Sequence, residues 1–232
     1  MTGRFPHPID AEAIPIGSGS AADFIRDHTL LSCHPMVPEI LLWRATEITP
    51  IWQATEAWLA ERNIDPPFWA FAWPGGLATA RHVLDNPCLV AGKRVLDFAA
   101  GGGIAAIACV MAGASLVEAA EIDPLAAVAI ALNAQANGVQ VTAIAGDVVG
   151  QGGRWDLILC GDVCYEAPMT GHILPWLLSL TDAAEVWIAD PGRAYLPTAG
   201  LDPFARYRVA TTRELEDREE RDVVLYRLLA GG

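Results

Sequence analysis

Short apolar runs alternate with helically spaced apolar positions along most of the chain after residue 75. The runs have the length of buried strands and are bounded by glycine, asparagine or acidic residues. Because strands that alternate with helices usually pair in parallel, we expect a parallel sheet covered by helices on both faces. Strands are predicted at 94–98, 115–121, 140–145, 155–160 and 185–189, and helices at 75–85, 104–112, 125–136 and 169–180, the last with a kink at Pro175.

The C-terminal end departs from this alternation. Residues 207–212 and 223–229 are strand-like, and only the short charged segment ELEDREE lies in their connection. That connection is too short for a crossover helix, so the two strands are predicted to pair antiparallel. The expected fold class is α/β, a single Rossmann-like doubly wound sheet of seven strands, mostly parallel with an antiparallel C-terminal hairpin.

The first 65 residues lack the regular pattern. Prolines, glycines and alanines make 1–20 a predicted loose arm. Helices are predicted at 21–27 and 50–61, each after a residue that can cap a helix. Two prolines predict irregular structure over 33–40, and the alternating rings of Trp69, Phe71 and Trp73 are consistent with a short strand. We expect an N-terminal arm and helical extension over 1–65 and one α/β domain over 66–232.

Composition narrows the class of protein. The net charge of -13 argues against a nucleic-acid partner, which requires a basic surface. The five cysteines are odd in number and form no C-x-x-C pair, which indicates reduced thiols. No apolar run suits a signal peptide or a membrane span, so we expect a cytoplasmic protein without a membrane partner. The histidines lack metal-ligand spacing, and no metal is expected.

A carboxylate lies at the end of each predicted parallel strand or within two residues beyond it. The five are Asp97, Glu121, Asp147, Asp162 and Asp190. The carboxyl ends of parallel strands share one edge of the sheet, where ligands of this fold class bind. Acidic residues are depleted in strands, so propensity alone does not explain the series, although Asp147 or Asp190 could simply cap a helix. The series predicts a binding site at this edge.

The segment VLDFAAGGGIAA, residues 95–106, breaks from a strand into three glycines. Gly101, Gly103 and Ala106 match the dinucleotide motif G-x-G-x-x-G/A, so a nicotinamide or flavin dinucleotide must be considered. A pyrophosphate, however, would face the carboxylate of Asp97 in this loop.

S-adenosylmethionine suits the acids better than a dinucleotide. Its ammonium and sulfonium are cationic, its ribose offers two hydroxyls to Glu121, and its adenine offers an amine to Asp147. Charge therefore favours the methyl donor, with S-adenosylhomocysteine as the product.

Several segments resemble the class I, seven-strand S-adenosylmethionine-dependent methyltransferases: VLDFAAGGG, AEIDP, AGDV and WDLILCGDVCYE. Others are similar, more narrowly, to the branch of protein-lysine methyltransferases that includes the electron transfer flavoprotein beta-subunit lysine methyltransferase: FIRDHTLLSCHPMVPEILLWRAT, PPFWAFAWPGGLATARHVLDNP, IDPLAAVAIALNAQANG, GDVCY and ADPGR. The resemblance covers about residues 24–193. It implies methyl transfer to lysine side chains of a protein partner, with the flavoprotein beta subunit as the expected substrate.

The resemblance also implies the site residues. Those of the donor site are Trp73, Asp97, Ala99, Gly101, Gly103, Glu121, Ile122, Asp147, Val148 and Gly161. Ala99 stands where the family has a glycine. Asp162 and Tyr165 match an acid-x-x-aromatic signature and would be catalytic, Asp162 by receiving the lysine ammonium and orienting the amine. Tyr165 and Trp73 would line the lysine channel, and Trp69 and Trp73 are candidates for cation–π contact.

Other functions stay open at this point. A small-molecule N-methyltransferase would use the same fold, a dinucleotide-dependent oxidoreductase would use the same loop, and a binding module could keep the fold without catalysis. Arg193 in ADPGR could meet an acidic substrate surface or pair with Glu166.

Overall fold

The computed structural model describes residues 15–16, 19–46, 49–51, 54, 59 and 65–230. Its strands are β1 (Pro15–Ile16), β2 (Gly19–Ser20), β3 (Leu30–His34), β4 (Val37–Arg44), β5 (Arg94–Phe98), β6 (Leu116–Glu121), β7 (Thr142–Ala145), β8 (Leu157–Gly161), β9 (Glu185–Asp190), β10 (Leu201–Ala210) and β11 (Glu220–Leu228). Its helices are α1 (Ala21–His28), α2 (Pro74–Asp85), α3 (Ile104–Met111), α4 (Pro124–Ala136), α5 (Ala167–Leu180) and α6 (Arg213–Glu216), with short 3-10 helices at Phe68–Ala70 and Pro87–Leu89.

Seven strands form the central sheet, in the order β10-β11-β9-β8-β5-β6-β7. Strands β5 to β9 are parallel, and β11 pairs antiparallel with both β9 and β10. The predicted fold class and the antiparallel C-terminal hairpin are therefore confirmed. The chain moves outward from β5 through β6 to β7 and then returns to β8 on the other side of β5. This reversal of strand order leaves a crevice at the carboxyl ends of β5 and β8.

The central strands are apolar on both faces because helices cover both. On β8, Leu157 and Leu159 belong to one buried cluster, which also contains Ile107 of α3. Ile158 between them belongs to the other cluster, which contains Leu177 of α5. Continuous apolar runs of this kind are typical of doubly covered parallel strands, and their burial supplies much of the driving force for folding.

The expected irregular structure over 33–40 is wrong, because β3 and β4 form an antiparallel hairpin. Pro35 lies in the turn between the strands. The partner of Cys33 is Leu41, whereas the partner of the next residue, His34, is Val37. Pro38 thus falls in the register irregularity, where its missing N–H breaks no paired position.

The aromatic segment before α2 is not a strand. It forms the 3-10 helix Phe68–Ala70, closed by the Phe71 N–H donating to the Phe68 carbonyl at 3.2 Å, and Trp73 then caps α2. Prolines on both sides favour such turns over a paired strand. Most of the helix predicted at 50–61 and most of the arm predicted at 1–20 lie outside the described residues.

The N-terminal hairpin is attached to α4 by two asparagine side chains. Asn137 Oδ1 accepts the N–H of Leu41 at 2.9 Å, and Asn137 Nδ2 donates to the Leu41 carbonyl at 2.6 Å. One turn earlier, Asn133 Oδ1 accepts the N–H of Trp43 at 2.7 Å. These side-chain amides make the hydrogen bonds that a neighbouring strand would make, and they satisfy backbone groups of Leu41 and Trp43 that would otherwise lack a partner. No helix within the described ranges is long and apolar enough to span a membrane.

Candidate active site

A cleft opens at the crevice, between the glycine loop after β5, the end of β8 and the aromatic segment before α2. Five of the predicted donor-site residues line this cleft: Trp73, Asp97, Ala99, Gly101 and Gly161. Other lining residues were not among the predicted site residues, and they include Leu42, Phe71, Thr79 and Ile104. Leu42 lies on β4, so the N-terminal hairpin forms part of the cleft wall.

The glycine loop has a strained residue at its start. Ala99 has φ of 52°, in the left-handed region that glycine adopts freely and alanine does not. Gly101, with φ of 55°, follows two residues later. A Cβ on Gly103 would lie 3.2 Å from the Ile130 side chain, and Gly103 is not among the residues that line the cleft. It allows the loop to pack closely on α4.

Asp97 lies at the bottom of the cleft and is 4% exposed. Its Oδ2 accepts the N–H of Ala106 in α3 at 2.9 Å. Burial raises the pKa of Asp97 to about 8, with a further contribution from the negative charge of Glu121. Among the described side chains no arginine or lysine forms an ion pair with it. A buried carboxylate without a cation is unfavourable, so a cationic ligand would stabilise its charged form.

Glu121 connects the end of β6 to the glycine loop. Its Oε1 accepts the N–H of Gly101 at 2.7 Å, and its Oε2 accepts the N–H of Ile122 at 3.2 Å. Burial raises the pKa of Glu121 to about 7. The Ile122 side chain is 75% exposed, an apolar surface beside the acid that a flat ring could cover.

Asp147 follows β7 and is bonded within the protein. Its Oδ1 accepts the N–H of Val149 at 2.8 Å, and its Oδ2 lies 2.8 Å from Nε2 of His172 on α5. Partial burial acts to raise the pKa of Asp147, but these two hydrogen bonds outweigh it and lower the pKa. The Val148 side chain is 1% exposed and packs in the core, so only its backbone could meet a ligand.

Asp162 is held on two sides. Its Oδ2 accepts the N–H of Gly75 in the first turn of α2 at 2.5 Å, and its Oδ1 accepts from Arg193 Nη2 at 2.8 Å. It is 8% exposed, and its backbone is left-handed with φ of 56°. Burial raises the pKa of Asp162 to about 6 even though Arg193 opposes the rise. Arg193 forms ion pairs with Asp162 and Glu216, whereas the intramolecular partner considered from the sequence was Glu166.

The motifs WPGG and CGDVCY meet at glycines. A Cβ on Gly161 would lie 2.9 Å from the Gly76 nitrogen, and a Cβ on Gly75 would lie 2.6 Å from the Ala189 carbonyl oxygen. Only glycines allow α2 to begin directly against the ends of β8 and β9. This close approach brings Trp73 to the edge of the cleft.

Three aromatic rings cluster beside the cleft. The Phe68 ring lies 5.9 Å from the Trp73 ring and 6.3 Å from the Tyr165 ring, centroid to centroid. Phe68 is 52% exposed and Tyr165 is 45% exposed, so the cluster is open to a partner. Trp69 is 2% exposed and packs with α1 and α4, away from this cluster. Phe68 was missed because nothing in PPFWAFAW distinguishes its ring from its neighbours.

Known proteins share both the sequence and the fold. The profile of the ribosomal protein L11 methyltransferase (PrmA) family matches residues 80–161. The electron transfer flavoprotein beta subunit lysine methyltransferase of Xenopus laevis is 38% identical over 84% of this chain and 81% of its own length. The human enzyme of that name is 36% identical over 76% of this chain and 70% of its own. The chain belongs to this methyltransferase family.

Membership of the family confirms the resemblance found in the motifs, and with it the class of S-adenosylmethionine-dependent methyltransferases. The solved structure of a candidate RNA methyltransferase from Pyrococcus horikoshii matches with a TM-score of 0.51 over 70% of this chain and 87% of that one. At 19% identity this match shows a shared fold. Within the described part of the chain, no three histidine, cysteine or acidic side chains converge as a metal site would require.

Proposed function

We propose that this protein transfers methyl groups from S-adenosylmethionine to lysine side chains of a protein partner, the beta subunit of electron transfer flavoprotein. The observation that carries the choice of donor is Asp97, a buried carboxylate in the cleft that forms no ion pair with any described arginine or lysine. The names of the relatives support the choice of acceptor. A cytoplasmic location and the lack of a metal, membrane or nucleic-acid partner stay predictions from the sequence.

The donor would lie along the carboxyl edge of the sheet. Asp97 and the glycine loop with Ala99 and Gly101 would hold its cationic amino-acid end. Glu121 would accept from the ribose hydroxyls, and the adenine would lie against Ile122 with its amine toward Asp147. Each carboxylate already accepts backbone N–H groups, which fixes its orientation before the donor arrives.

The acceptor lysine would enter past Phe68, Trp73 and Tyr165. Rings attract an ammonium through cation–π contact worth about 0.5–2 kcal/mol. The ordinary pKa of a lysine side chain is about 10.4, so its ammonium must lose a proton to water before the nitrogen can attack the methyl group. When bound, S-adenosylmethionine would supply an electrophilic methyl group, which the neutral amine nitrogen would accept as the carbon–sulfur bond breaks and leaves its electron pair on sulfur.

Positioning accounts for most of the catalysis in this proposal. Holding the amine and the methyl in line can contribute about 7–11 kcal/mol in well-oriented systems. Both Asp162 oxygens already accept hydrogen bonds, which agrees with an orienting role for this carboxylate and not with a general base.

The test is a methylation assay with purified components. The protein is incubated with labelled S-adenosylmethionine and the two-subunit flavoprotein, and the labelled residues are located by mass spectrometry. We expect label on lysines of the beta subunit, and its loss with the matched variant Asp97→Asn, which keeps an acceptor for Ala106 but removes the charge. Label on free amines but not on the flavoprotein would favour a small-molecule N-methyltransferase, and calorimetric binding of a nicotinamide dinucleotide without binding of the methyl donor would favour an oxidoreductase.

A further inference from the structure

Arg193 lies between two buried carboxylates. Its Nη2 lies 2.8 Å from Asp162 Oδ1 and 2.5 Å from Glu216 Oε1, and its Nη1 lies 3.1 Å from Glu216 Oε2. The Glu216 side chain is 1% exposed and the Arg193 side chain 19%. A guanidinium that contacts two carboxylates in this way is held in one orientation, because its planar donors match both acceptors.

Arg193 is held both at its backbone and at its guanidinium. Its backbone N–H donates to Asp190 Oδ1 at 2.6 Å, which sets the loop after β9. Glu216 on α6 is itself held by Arg221, whose Nε donates to Glu216 Oε2 at 2.9 Å and whose Nη2 donates to the Glu216 carbonyl at 2.7 Å. Glu216 therefore pairs with two arginines and Asp162 with one, which offsets the cost of burying these charges.

This group of charges reaches the first turn of α2 through Asp162. The second oxygen of Asp162 accepts the N–H of Gly75 at 2.5 Å. Gly75 lies two residues after Trp73, whose indole N–H donates to the Phe68 carbonyl at 2.8 Å. The C-terminal hairpin is thus connected, contact by contact, to the aromatic cluster at the mouth of the cleft.

We propose that Arg193, clamped by Glu216, is a positioning residue for methyl transfer: it holds the Asp162 carboxylate against Gly75 and so fixes Trp73 beside the acceptor lysine. The inference rests on the proposed function. It assigns a role to the C-terminal hairpin, whose α6 supplies the clamping carboxylate.

The clamp also sets the charge state of Asp162. Burial and the negative charge of Asp190 raise its pKa, whereas the Arg193 guanidinium and the Gly75 N–H lower it. The Cys164 thiol lies nearby and stays neutral, because burial raises its pKa to about 12. Removing the guanidinium leaves only the Gly75 N–H to oppose the two raising influences, so the pKa of Asp162 should rise and the acid limb of the pH–rate profile should move to higher pH.

The experiment compares Arg193→Gln, Arg193→Lys and Glu216→Gln with the wild-type protein. Donor Kd is measured by calorimetry, and kcat and KM for the flavoprotein are measured across the pH range. We expect Arg193→Gln to lower kcat by about tenfold or more with donor Kd unchanged, and to move the acid limb upward by about one pH unit. Arg193→Lys should restore part of kcat, since it restores the positive charge.

The matched control is Arg227→Gln. Arg227 lies on β11 of the same hairpin, and its Nε is 2.8 Å from Glu185 Oε1. Glu185 is at the amino end of β9, away from the cleft. This variant should leave kcat and the pH profile unchanged. An unmoved acid limb in Arg193→Gln, or a loss of thermal stability that accounts for the whole loss of kcat, would overturn the positioning role.

A second readout separates this inference from the proposed function. The titration of Asp162 is followed by carboxyl carbon NMR in the wild type and in Arg193→Gln, without any substrate. A higher Asp162 pKa in the variant supports the clamp, and an unchanged pKa contradicts it, even if the flavoprotein proves not to be methylated.

Discussion

The Asn133 side chain donates to the Gly102 carbonyl at 2.8 Å, so a residue of α4 holds the glycine loop in place. The same amide accepts the N–H of Trp43 on β4 at 2.7 Å, and Asn133 is fully buried. A single side chain thus connects the N-terminal hairpin with the loop that forms the donor site.

The first prediction concerns Asn133→Ala. The change leaves the Trp43 N–H and the Gly102 carbonyl without a buried partner, and each such loss costs about 1–3 kcal/mol. We expect the free energy of unfolding to fall by about 2 kcal/mol or more, and donor Kd to rise because the loop is no longer fixed. Denaturant unfolding and calorimetry with S-adenosylmethionine measure the two effects.

Asn137→Ala is the matched control for Asn133→Ala. The Asn137 side chain bonds both backbone groups of Leu41 and the Asn133 carbonyl, and none of these hydrogen bonds reaches the glycine loop. It should lower stability while donor Kd stays unchanged. If both variants weaken donor binding equally, Asn133 acts only through the stability of the hairpin.

The second prediction is that Ala99→Gly stabilises the protein. A left-handed alanine costs about 1–2 kcal/mol, whereas the extra freedom of glycine in the unfolded chain costs about 0.5–1 kcal/mol. The net gain should be about 0.5–1 kcal/mol, visible as a higher midpoint of denaturant unfolding. Ala100→Gly serves as the control, since Ala100 is not among the residues with positive φ and should only lose stability. A lower midpoint for Ala99→Gly would show that the strain at Ala99 is absent.

The third prediction concerns pH. The pKa of Asp97 is raised from 3.8 to about 8 and that of Glu121 from 4.5 to about 7, in each case mainly by burial. The folded protein without donor therefore binds more protons than the unfolded chain between these values. The contribution of these two groups to the free energy of unfolding is fully present below about pH 4 and is lost as the pH rises through about 7 to 8.

Donor binding should show the opposite trend. A cationic ligand favours the ionised carboxylates, so S-adenosylmethionine should bind more tightly as the pH rises from about 6 to 7.5, below the range of about 7.7–8.0 in which an α-ammonium loses its own proton. Proton release on binding should become smaller toward the upper end of this range. Calorimetry in buffers of different ionisation enthalpy measures both. Asp97→Asn isolates the effect of Asp97, since its donor Kd should be higher and depend less on pH. Equal pH dependence in the two proteins would exclude Asp97 as the responsible group.

The regular part of the fold could be predicted from the sequence because the doubly covered strands are local apolar runs. The prediction for 94–98 matches β5 residue for residue, and the acids after the strands come together because parallel strands share an edge. The β3–β4 hairpin could not be predicted in this way, because Pro35 and Pro38 fall at positions that only the paired register shows to be harmless.

Long-range polar contacts were also beyond the reach of the pattern. In the sequence, Asn133 is a single polar residue in an apolar helix. Its burial depends on the segments around Trp43 and Gly102, which are distant in sequence. Glu216 lies in a run of charged residues that is typical of a solvated turn, yet its side chain is buried against Arg193 and Arg221. Such pairings follow from how elements pack, which local periodicity does not encode.

The last prediction tests the acceptor channel through Phe68. The ring is half exposed and lies near the rings of Trp73 and Tyr165, where it can contact an entering lysine without contacting the donor. Losing a cation–π contact worth about 0.5–1 kcal/mol should raise KM for the flavoprotein about two- to fivefold in Phe68→Ala, with donor Kd unchanged. Phe68→Tyr keeps the ring and should behave like the wild type. Leu116→Ala removes a similarly exposed apolar side chain at the amino end of β6 and should have no effect. An unchanged KM in Phe68→Ala, or an equal rise in Leu116→Ala, would place the lysine channel elsewhere, because the contact depends on the ring and on its position beside the cleft.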